Sequence, residues 1–433
     1  MADRGLICLA ASNRGSMGDL RPLIALALAL RLRGFEIVVQ GDPALEWSAH
    51  QAGIAPSEWL SSASVSQAVL VRTEAGQRAI SGMRVRYRDR WMSRQSNRNE
   101  KEQSDRLRRR LGGWDNPRIV AVIGSIPAYP LLGRFGRQCA RVISTAMPYQ
   151  SSKDFTMRPP DASPLWRLRK WRRGFWHFAR QRQFRECTFH LLHASPTIFP
   201  RPTDWLPNMQ VTGYVTLDDE TGWTPPPRLT DFLNHGSPPV FAGFGTHPML
   251  FGAAGESRAR QILEACRRLA VRCVLQSPDL PSWQPSKDVF ILHEHVPHAW
   301  LFPRCVAVVH HGGYGTVHAA LVARKPMVVY PFQTDQFLWA ARMGTLGVGP
   351  GFTARLKNLS TARLEADLTF VLRAECRDKA ERLGQAVAGE QGLPIQVAAI
   401  ESIIEHTRRG LRPVDWQMPV LNVAEPRGHA AMS

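Results

Sequence analysis

The segment VAVVHHGGYGTVHAALV at residues 306–322 carries the strongest structural pattern in the 433-residue chain. Its apolar run at 306–309 predicts a buried strand ending at His310, and a glycine-rich loop then leads to a helix beginning near Thr316. Glycines let a ligand approach the backbone, and a helix N-terminus presents unpaired N–H groups and a positive dipole end. We predict either a diphosphate-binding loop, with His310 and Thr316 as further contacts, or an ordinary strand–helix turn with an internally bonded histidine.

Two other loops in the same half of the chain follow apolar runs. GFGTHP at 243–248 indicates only a simple turn by itself, but beside the first loop it can bring Thr246 to the same phosphate. YPFQTDQFLWAARMGTLGVGP at 330–350 places Asp335 and Gln336 shortly after a strand. A carboxylate next to an amide suits the vicinal hydroxyls of a sugar; the alternative is that Asp335 caps a helix.

Strands and helices alternate in two separate series. GLICLAAS at 5–12, a glycine loop, a helical pattern from Leu20 to Gly34 and the strand FEIVVQG open the first series, and PPVFAGFGT at 238–246 opens the second. Such alternation predicts parallel sheets, whose ligands bind at the carboxyl ends of the strands. We predict an α/β protein with an N-terminal domain over 1–205, a proline-rich linker over 206–236, a C-terminal domain over 237–410 and a tail over 411–433 that packs back on the N-terminal domain.

The composition limits the class of protein. The chain is long enough for two or three domains, and its net charge of +19 favours anionic partners. Seven scattered cysteines without C-x-x-C spacing argue against a disulfide framework or a zinc site and favour a reducing, cytoplasmic location. We expect no signal peptide, because the apolar run in MADRGLICLAAS is too short, and no transmembrane span, because no window holds 18 consecutive apolar residues.

Two basic segments interrupt the alternation. Residues 84–110 hold eleven Lys and Arg, and residues 165–186 interleave eight basic residues with six Trp and Phe. The second composition is typical of an interfacial helix on anionic lipid, but it equally fits a solvated helix whose aromatic side chains line a pocket. We predict no nucleic-acid partner, since no binding module is recognisable.

Two long motifs, about 290 residues apart, match one family. The segment HVPHAWLFPRCVAVVHHGGYGTVHAALVARKPMVVYPFQTDQFLWAARMGTLGVGP from residue 295 resembles the donor-binding signature of GT-B glycosyltransferases of the UDP-glycosyltransferase superfamily. It is most similar to the sterol glucosyltransferase-like and bacterial antibiotic (macrolide, glycopeptide) branch. GSMGDLRPLIALALALRLRGFEI from residue 15 is similar to that branch's N-terminal motif, usually GSRGDVQP.

The resemblance implies two Rossmann-like domains facing each other across a cleft. It also implies an inverting, metal-independent transfer from a UDP- or dTDP-sugar to a hydroxyl of a hydrophobic, natural-product-like or sterol-like acceptor, with no cofactor. The matching residues and their implied roles are Asp19 as catalytic base in a loop shaped by Gly15, Ser16 and Gly18; Thr246, His310, Gly313, Gly315 and Thr316 on the donor diphosphate; Asp335 and Gln336 on the sugar; and Pro297, His298 and Trp300 at the nucleobase and ribose.

The chain departs from the family pattern at several positions. Tyr314 replaces a small residue and is expected to narrow or reshape the phosphate loop, and FQTDQFLW replaces the commoner FGDQPFW, which leaves the sugar open. For Asp19 the alternative is an N-cap of the following helix. Two other functions stay open: a catalytically silent GT-B-like protein that binds a ligand or activates a partner, and a sugar-nucleotide epimerase.

Overall fold

The computed structural model describes residues 4–10, 17–41, 46–61, 104–124, 129–145, 186–217, 223–245, 252–277, 286–294, 296–332 and 335–419. Most of the basic aromatic segment 165–186 and most of the basic segment 84–110 therefore lie outside the described residues. Within the described part of the chain, each helix is too short or too polar to cross a membrane.

The N-terminal half is built on a seven-stranded sheet. Every pairing in it is parallel, in the order β3-β2-β1-β4-β5-β6-β7. The strands are β1 Leu6–Ala10, β2 Glu36–Gly41, β3 Trp59–Ser61, β4 Ile119–Gly124, β5 Ala140–Thr145, β6 Phe189–Leu192 and β7 Met209–Val211. The central strands β1 and β4 are buried along their whole length, as expected of a parallel sheet covered on both faces.

The C-terminal half is built on a five-stranded parallel sheet with the order β10-β9-β8-β11-β12. The strands are β8 Val240–Gly243, β9 Cys273–Gln276, β10 Val289–Leu292, β11 Ala307–His310 and β12 Met327–Val329. β11 pairs with β8 on one side and β12 on the other, so the carboxyl ends of these three strands are neighbours. The prediction of two parallel-sheet α/β domains is confirmed.

Helices connect the strands in both halves. In the N-terminal half they are α1 Met17–Leu32, α2 Glu46–Gln51 and α3 Tyr129–Leu132. In the C-terminal half they are α4 Pro227–Asn234, α5 Gly252–Arg268, α6 His298–Leu301, α7 Tyr314–Val322, α8 Gln336–Thr345, α9 Thr361–Val371 and α10 Ala374–Ala388, and α11 Gly392–Arg408 follows them in the sequence.

The last helix belongs to the N-terminal core. Val397, Ile400 and Ile403 of α11 are buried in one cluster with β1, β2 and α1. Trp416 joins the same cluster, and its ring meets Phe189 of β6 at 5.7 Å. The predicted C-terminal domain, 237–410, therefore runs too far, because the chain has crossed back by residue 392.

The predicted linker begins too early. Residues 209–211 form β7 at the edge of the N-terminal sheet, so this sheet continues past residue 206. The stretch from Leu192 to Met209 also packs into the main hydrophobic cluster of the C-terminal half, where the ring of Phe199 lies 6.1 Å from that of Trp339. The two halves are joined here through a shared apolar core.

Candidate functional site

The site is centred on the glycine loop between β11 and α7. Gly312 has a φ of 89° and packs so closely that a Cβ there would lie 2.7 Å from Val329 Cγ1. Gly313 is the N-cap residue of α7 and has no side chain to cap the helix. A Cβ at Gly315 would meet nothing within 4 Å, so the described residues leave this face of the first turn open. Its N–H groups and the helix dipole are suited to an anion.

The two adjacent histidines of the loop have different surroundings. His310 is fully buried; its Nδ1 accepts the N–H of Gly312 at 3.1 Å, and its Nε2 lies 3.4 Å from the sulfur of Met327. Burial, followed by the neighbouring His311 and His298, lowers the pKa of His310 well below its usual range. In this structure the His310 ring is held inside the core by these two contacts, and its predicted contact with the donor diphosphate stays a prediction.

His311 lies where the two glycine loops meet. Its ring stacks on Phe332 with a centroid distance of 5.6 Å. Gly245, which follows β8, adopts a φ of 75°, and a Cβ at this position would lie 3.1 Å from Cε1 of His311. On the other side, a Cβ at Gly313 would lie 2.7 Å from Nε2 of His311. The imidazole of His311 is therefore the one that the loops after β8 and β11 enclose.

Asp335 and Gln336 lie beside this loop at the start of α8. Asp335 occupies the N-cap position without a side-chain cap bond, and its carboxylate instead accepts the indole N–H of Trp339 at 3.2 Å. Gln336 is buried, and its carbonyl oxygen accepts the N–H of Phe332 at 2.9 Å. Gln336 thus bonds the loop after β12, whereas Asp335 bonds a side chain of α8, and their predicted contacts with a sugar stay a prediction.

The residues predicted for the nucleobase form a separate aromatic patch. Pro297 precedes α6, and the ring of His298 stacks on Phe302 at 4.3 Å with an interplanar angle of 15°. The half-buried Trp300 meets Trp223 edge-on at 5.3 Å and carries the guanidinium of Arg304 over its ring at 4.3 Å. The flat surface of Trp300 suits stacking with a planar base.

The first turn of α1 contains Gly18 and Asp19, because the helix begins at Met17. Asp19 is therefore the third helical residue rather than the residue preceding the helix. The described side chains of α1 begin at Leu20, and Gly15, Ser16 and Thr246 lie outside the described residues. The predicted roles of these residues stay predictions.

Tyr314 does not face into the phosphate loop. Its ring is buried, and its hydroxyl donates to the carbonyl of His193, which follows β6 in the N-terminal half. The same hydroxyl accepts the N–H of Val215 at 3.4 Å. Tyr314 therefore does not narrow the site as expected, and its hydroxyl instead bonds the two halves to each other. The sequence pattern did not predict this bond.

Among the described residues no group of three or more His, Cys, Asp or Glu is placed to hold a metal ion.

Comparison with known proteins adds to this geometry. Residues 283–402 match the model of the erythromycin biosynthesis protein CIII-like C-terminal domain. The O-mycaminosyltylonolide 6-deoxyallosyltransferase of Streptomyces fradiae is 30% identical over 436 residues, covering 92% of this chain and 97% of that protein. The sterol 3-beta-glucosyltransferase UGT80A2 of Arabidopsis thaliana is 36% identical over 236 residues, covering 54% of this chain. The match to this chain spans only 35% of the length of UGT80A2.

Solved structures are similar over nearly the whole chain. The calicheamicin glycosyltransferase CalG4 superposes with a TM-score of 0.65 at 16% identity, covering 94% of this chain and 99% of CalG4. The spinosyn rhamnosyltransferase SpnG, complexed with thymidine diphosphate, superposes with a TM-score of 0.56 at 16% identity, covering 91% of this chain and 99% of SpnG. At these identities the likeness concerns the fold.

Proposed function

The chain belongs to the GT-B glycosyltransferases of the UDP-glycosyltransferase superfamily, and on that premise we propose that it transfers a sugar from a UDP- or dTDP-sugar to a hydroxyl of a hydrophobic small molecule. The predicted GT-B fold is confirmed by the two parallel sheets and by their likeness to solved glycosyltransferases. The donor, the acceptor and the stereochemistry are proposals.

The observation that carries the proposal is the meeting of two glycine loops around His311. Gly245 after β8 and Gly313 after β11 both lie against its imidazole, at the open N-terminus of α7. Backbone N–H groups, a helix dipole and a histidine together can neutralise a diphosphate. Thr316 lies in the same first turn, where its hydroxyl is suited to a phosphate oxygen. We therefore assign to His311 the diphosphate contact that the sequence pattern suggested for its neighbour.

The proposed reaction is a single in-line displacement that inverts the anomeric centre. The acceptor oxygen attacks the anomeric carbon while the bond from that carbon to the β-phosphate oxygen breaks. The nucleoside diphosphate leaves with the bonding electron pair, and the acceptor's hydroxyl proton passes to Asp19. The positive end of α7 and His311 stabilise the charge that develops on the leaving diphosphate, so we propose that this step needs no metal.

The acceptor is proposed from the relatives and from the basic aromatic segment. The two relatives described above are named for a macrolide-type and a sterol acceptor, both large and mostly apolar. Residues 165–186 belong to the N-terminal half, where this family binds acceptors, so we propose a natural-product or sterol-like acceptor, presented in water or at an anionic membrane surface. Co-sedimentation with anionic liposomes tests whether the protein binds a membrane surface. The wild type is compared with a variant in which the charges of Arg169, Arg172 and Arg173 are reversed. Equal, weak pelleting of both proteins would refute membrane binding.

Turnover with a panel of sugar nucleotides and acceptors, followed by mass spectrometry, tests the function. We expect a glycosylated acceptor and free UDP or dTDP. Asp19→Asn should lower kcat about 10²–10⁴-fold, the usual contribution of a general base. Asp105→Asn, which changes an exposed carboxylate of the same half, should keep the wild-type rate.

Other outcomes distinguish the alternatives. Nucleotide binding without turnover for every acceptor, unaltered by Asp19→Ala, would favour the catalytically silent protein. Conversion of the donor in the absence of any acceptor would instead indicate an epimerase.

A further inference from the structure

The segment that follows β6 is bonded to the C-terminal half at several points. The hydroxyl of Tyr314 donates to the carbonyl of His193, and the N–H of Ser195 donates to Nε2 of His318 at 3.1 Å. Nδ1 of His318 in turn donates to the carbonyl of Tyr314 at 2.9 Å, which fixes the tautomer of this ring. Since Tyr314 and His318 lie one turn apart on α7, we call these two residues with His193, Ser195 and Val215 the interdomain clasp.

Aromatic packing surrounds the clasp. The ring of Tyr214 stacks on that of His318 at 4.8 Å with an interplanar angle of 15°. The rings of Tyr314 and His318 are 4.4 Å apart, and Tyr314 lies 5.5 Å from His193. Bonds enclosed by rings are shielded from water, so each has a larger effect on geometry than it would at the surface.

The clasp bonds start on α7, and other described bonds that connect the two halves start elsewhere. Glu390 accepts the hydroxyls of Ser195 and Thr197, both at 2.7 Å, and Nε of Arg342 donates to the carbonyl of Ile198 at 2.6 Å. Among the described bonds to the segment 193–199, those of Glu390 and Arg342 start after α10 and on α8 rather than on α7.

The position of the clasp connects the two parts of the proposed site. Tyr314 is the first residue of α7, between Gly313 and Gly315, at the end of the helix proposed to hold the diphosphate. The residues on the other side of its bonds follow β6 and β7 of the N-terminal sheet. Arg21, two residues after Asp19 on α1, interacts electrostatically with Tyr214, whose ring stacks on His318 of the clasp.

We propose that Tyr314 and His318 are positioning residues, which fix α7 relative to the N-terminal half so that the donor bound at α7 faces the acceptor and its base. This inference rests on the proposed function. A phenol that bonds two backbone groups, at 193 and 215, specifies one register between the halves, whereas an apolar ring of similar size would only fill space. A misplacement of about 1 Å between reacting groups can cost about 10²-fold in rate.

The test compares two buried tyrosines of the C-terminal half. Tyr314→Phe removes the hydroxyl that bonds the other half and keeps the ring. Tyr330→Phe makes the same chemical change, but the Tyr330 hydroxyl bonds Asp367 at 2.7 Å within its own half. For Tyr314→Phe we expect kcat to fall about tenfold or more while the Kd for UDP or dTDP stays within about twofold. For Tyr330→Phe we expect kcat within about twofold of wild type.

Three outcomes would overturn the proposal. A wild-type kcat in Tyr314→Phe would do so, and so would equal losses of kcat in the two variants. A loss of nucleotide affinity in Tyr314→Phe as large as its loss of kcat would also do so, because it would indicate only a disturbed C-terminal core. As a conservative comparison for the second residue, His318→Gln keeps an acceptor for the N–H of Ser195 and should retain more of kcat than His318→Ala.

Hydrogen exchange separates this inference from the proposed function. The N–H of Val215 bonds the Tyr314 hydroxyl, so its exchange should accelerate several-fold in Tyr314→Phe and stay unchanged in Tyr330→Phe. Unchanged exchange at Val215 in Tyr314→Phe overturns the clasp, whatever the substrate. Absence of nucleotide binding and of turnover in the wild-type protein, together with faster exchange at Val215, refutes the proposed function and leaves the clasp standing as an interdomain contact.

Discussion

Two buried histidines of the interdomain clasp should make the protein sensitive to acid. Burial, followed by the electrostatic effect of the neighbouring His318, lowers the pKa of His193 to about 3. Neither ring nitrogen of His193 has a hydrogen-bond partner among the described residues. Burial lowers the pKa of His318 to about 4, and its Nε2 must stay unprotonated to accept the N–H of Ser195. The neighbouring phenols of Tyr214 and Tyr314 remain uncharged, because burial raises the pKa of each.

The sign of the effect follows from which state binds the proton. Above pH 6.5 both imidazoles are neutral in the folded and the unfolded chain, so they add no pH dependence. As the pH falls below 6.5 the unfolded chain takes up the two protons first, and stability is lost progressively until the pH reaches the folded pKa values, about 4 for His318 and about 3 for His193. At about pH 5 each histidine lowers the free energy of unfolding by about 2 kcal/mol. The sum, about 4 kcal/mol, is a large part of the 5–15 kcal/mol typical of a folded protein.

Urea unfolding at pH 8 and pH 5, followed by circular dichroism, measures this loss. His193→Leu removes one titrating ring and should reduce the loss between the two pH values by about 2 kcal/mol. His235→Leu changes an exposed histidine near the end of α4 and is the control. The reasoning is refuted if His193→Leu loses as much stability between pH 8 and pH 5 as the wild type. It is also refuted if the ¹³Cε1 resonance of His193 in the wild-type protein titrates near pH 6.5.

Three further changes test the packing around the site. Gly313→Ala places a Cβ 2.7 Å from Nε2 of His311, so nucleotide affinity in calorimetry should fall about tenfold, and unchanged affinity would contradict the role of His311. Tyr330→Phe removes the bond to the buried Asp367 and should lower the free energy of unfolding by about 2 kcal/mol; a loss below about 0.5 kcal/mol in urea would refute that bond's contribution. Gly384→Ala places a Cβ 2.2 Å from a carbonyl of α7 and should cost about 3 kcal/mol; a wild-type Tm would show that α10 and α7 are less tightly packed.

Much of the fold could be predicted because it depends on local patterns. Apolar runs followed by glycine loops and helical periodicity determine parallel α/β units, and both glycine loops lie at strand ends as their sequences indicate. The destination of α11 could not be predicted this way. Its apolar face, with Val397 and Ile400, has the same periodicity whichever sheet it covers, and only the tertiary structure shows that it covers the N-terminal one.

The sequence could not determine which of two adjacent histidines enters the core, for a physical reason. His310 and His311 are both polar residues at the end of an apolar run, and the sequence does not show which of them turns into the core. The structure distinguishes them because β11 extends through His310, whose ring lies against Met327, and the loop begins at His311. The bond from Tyr314 to His193 joins residues 121 positions apart, and local periodicity carries no information about such a partner.

The most direct test of the account is calorimetric titration of UDP and dTDP into wild type, His311→Ala and His235→Ala. We expect the wild type and His235→Ala to bind one of the two nucleotides equally well. For His311→Ala the affinity should fall about tenfold or more, corresponding to about 1.4 kcal/mol or more, because the imidazole between the two glycine loops is lost. Absence of binding in the wild type, or equal affinity in all three proteins, would contradict the assignment of the α7 N-terminus and His311 as the diphosphate site.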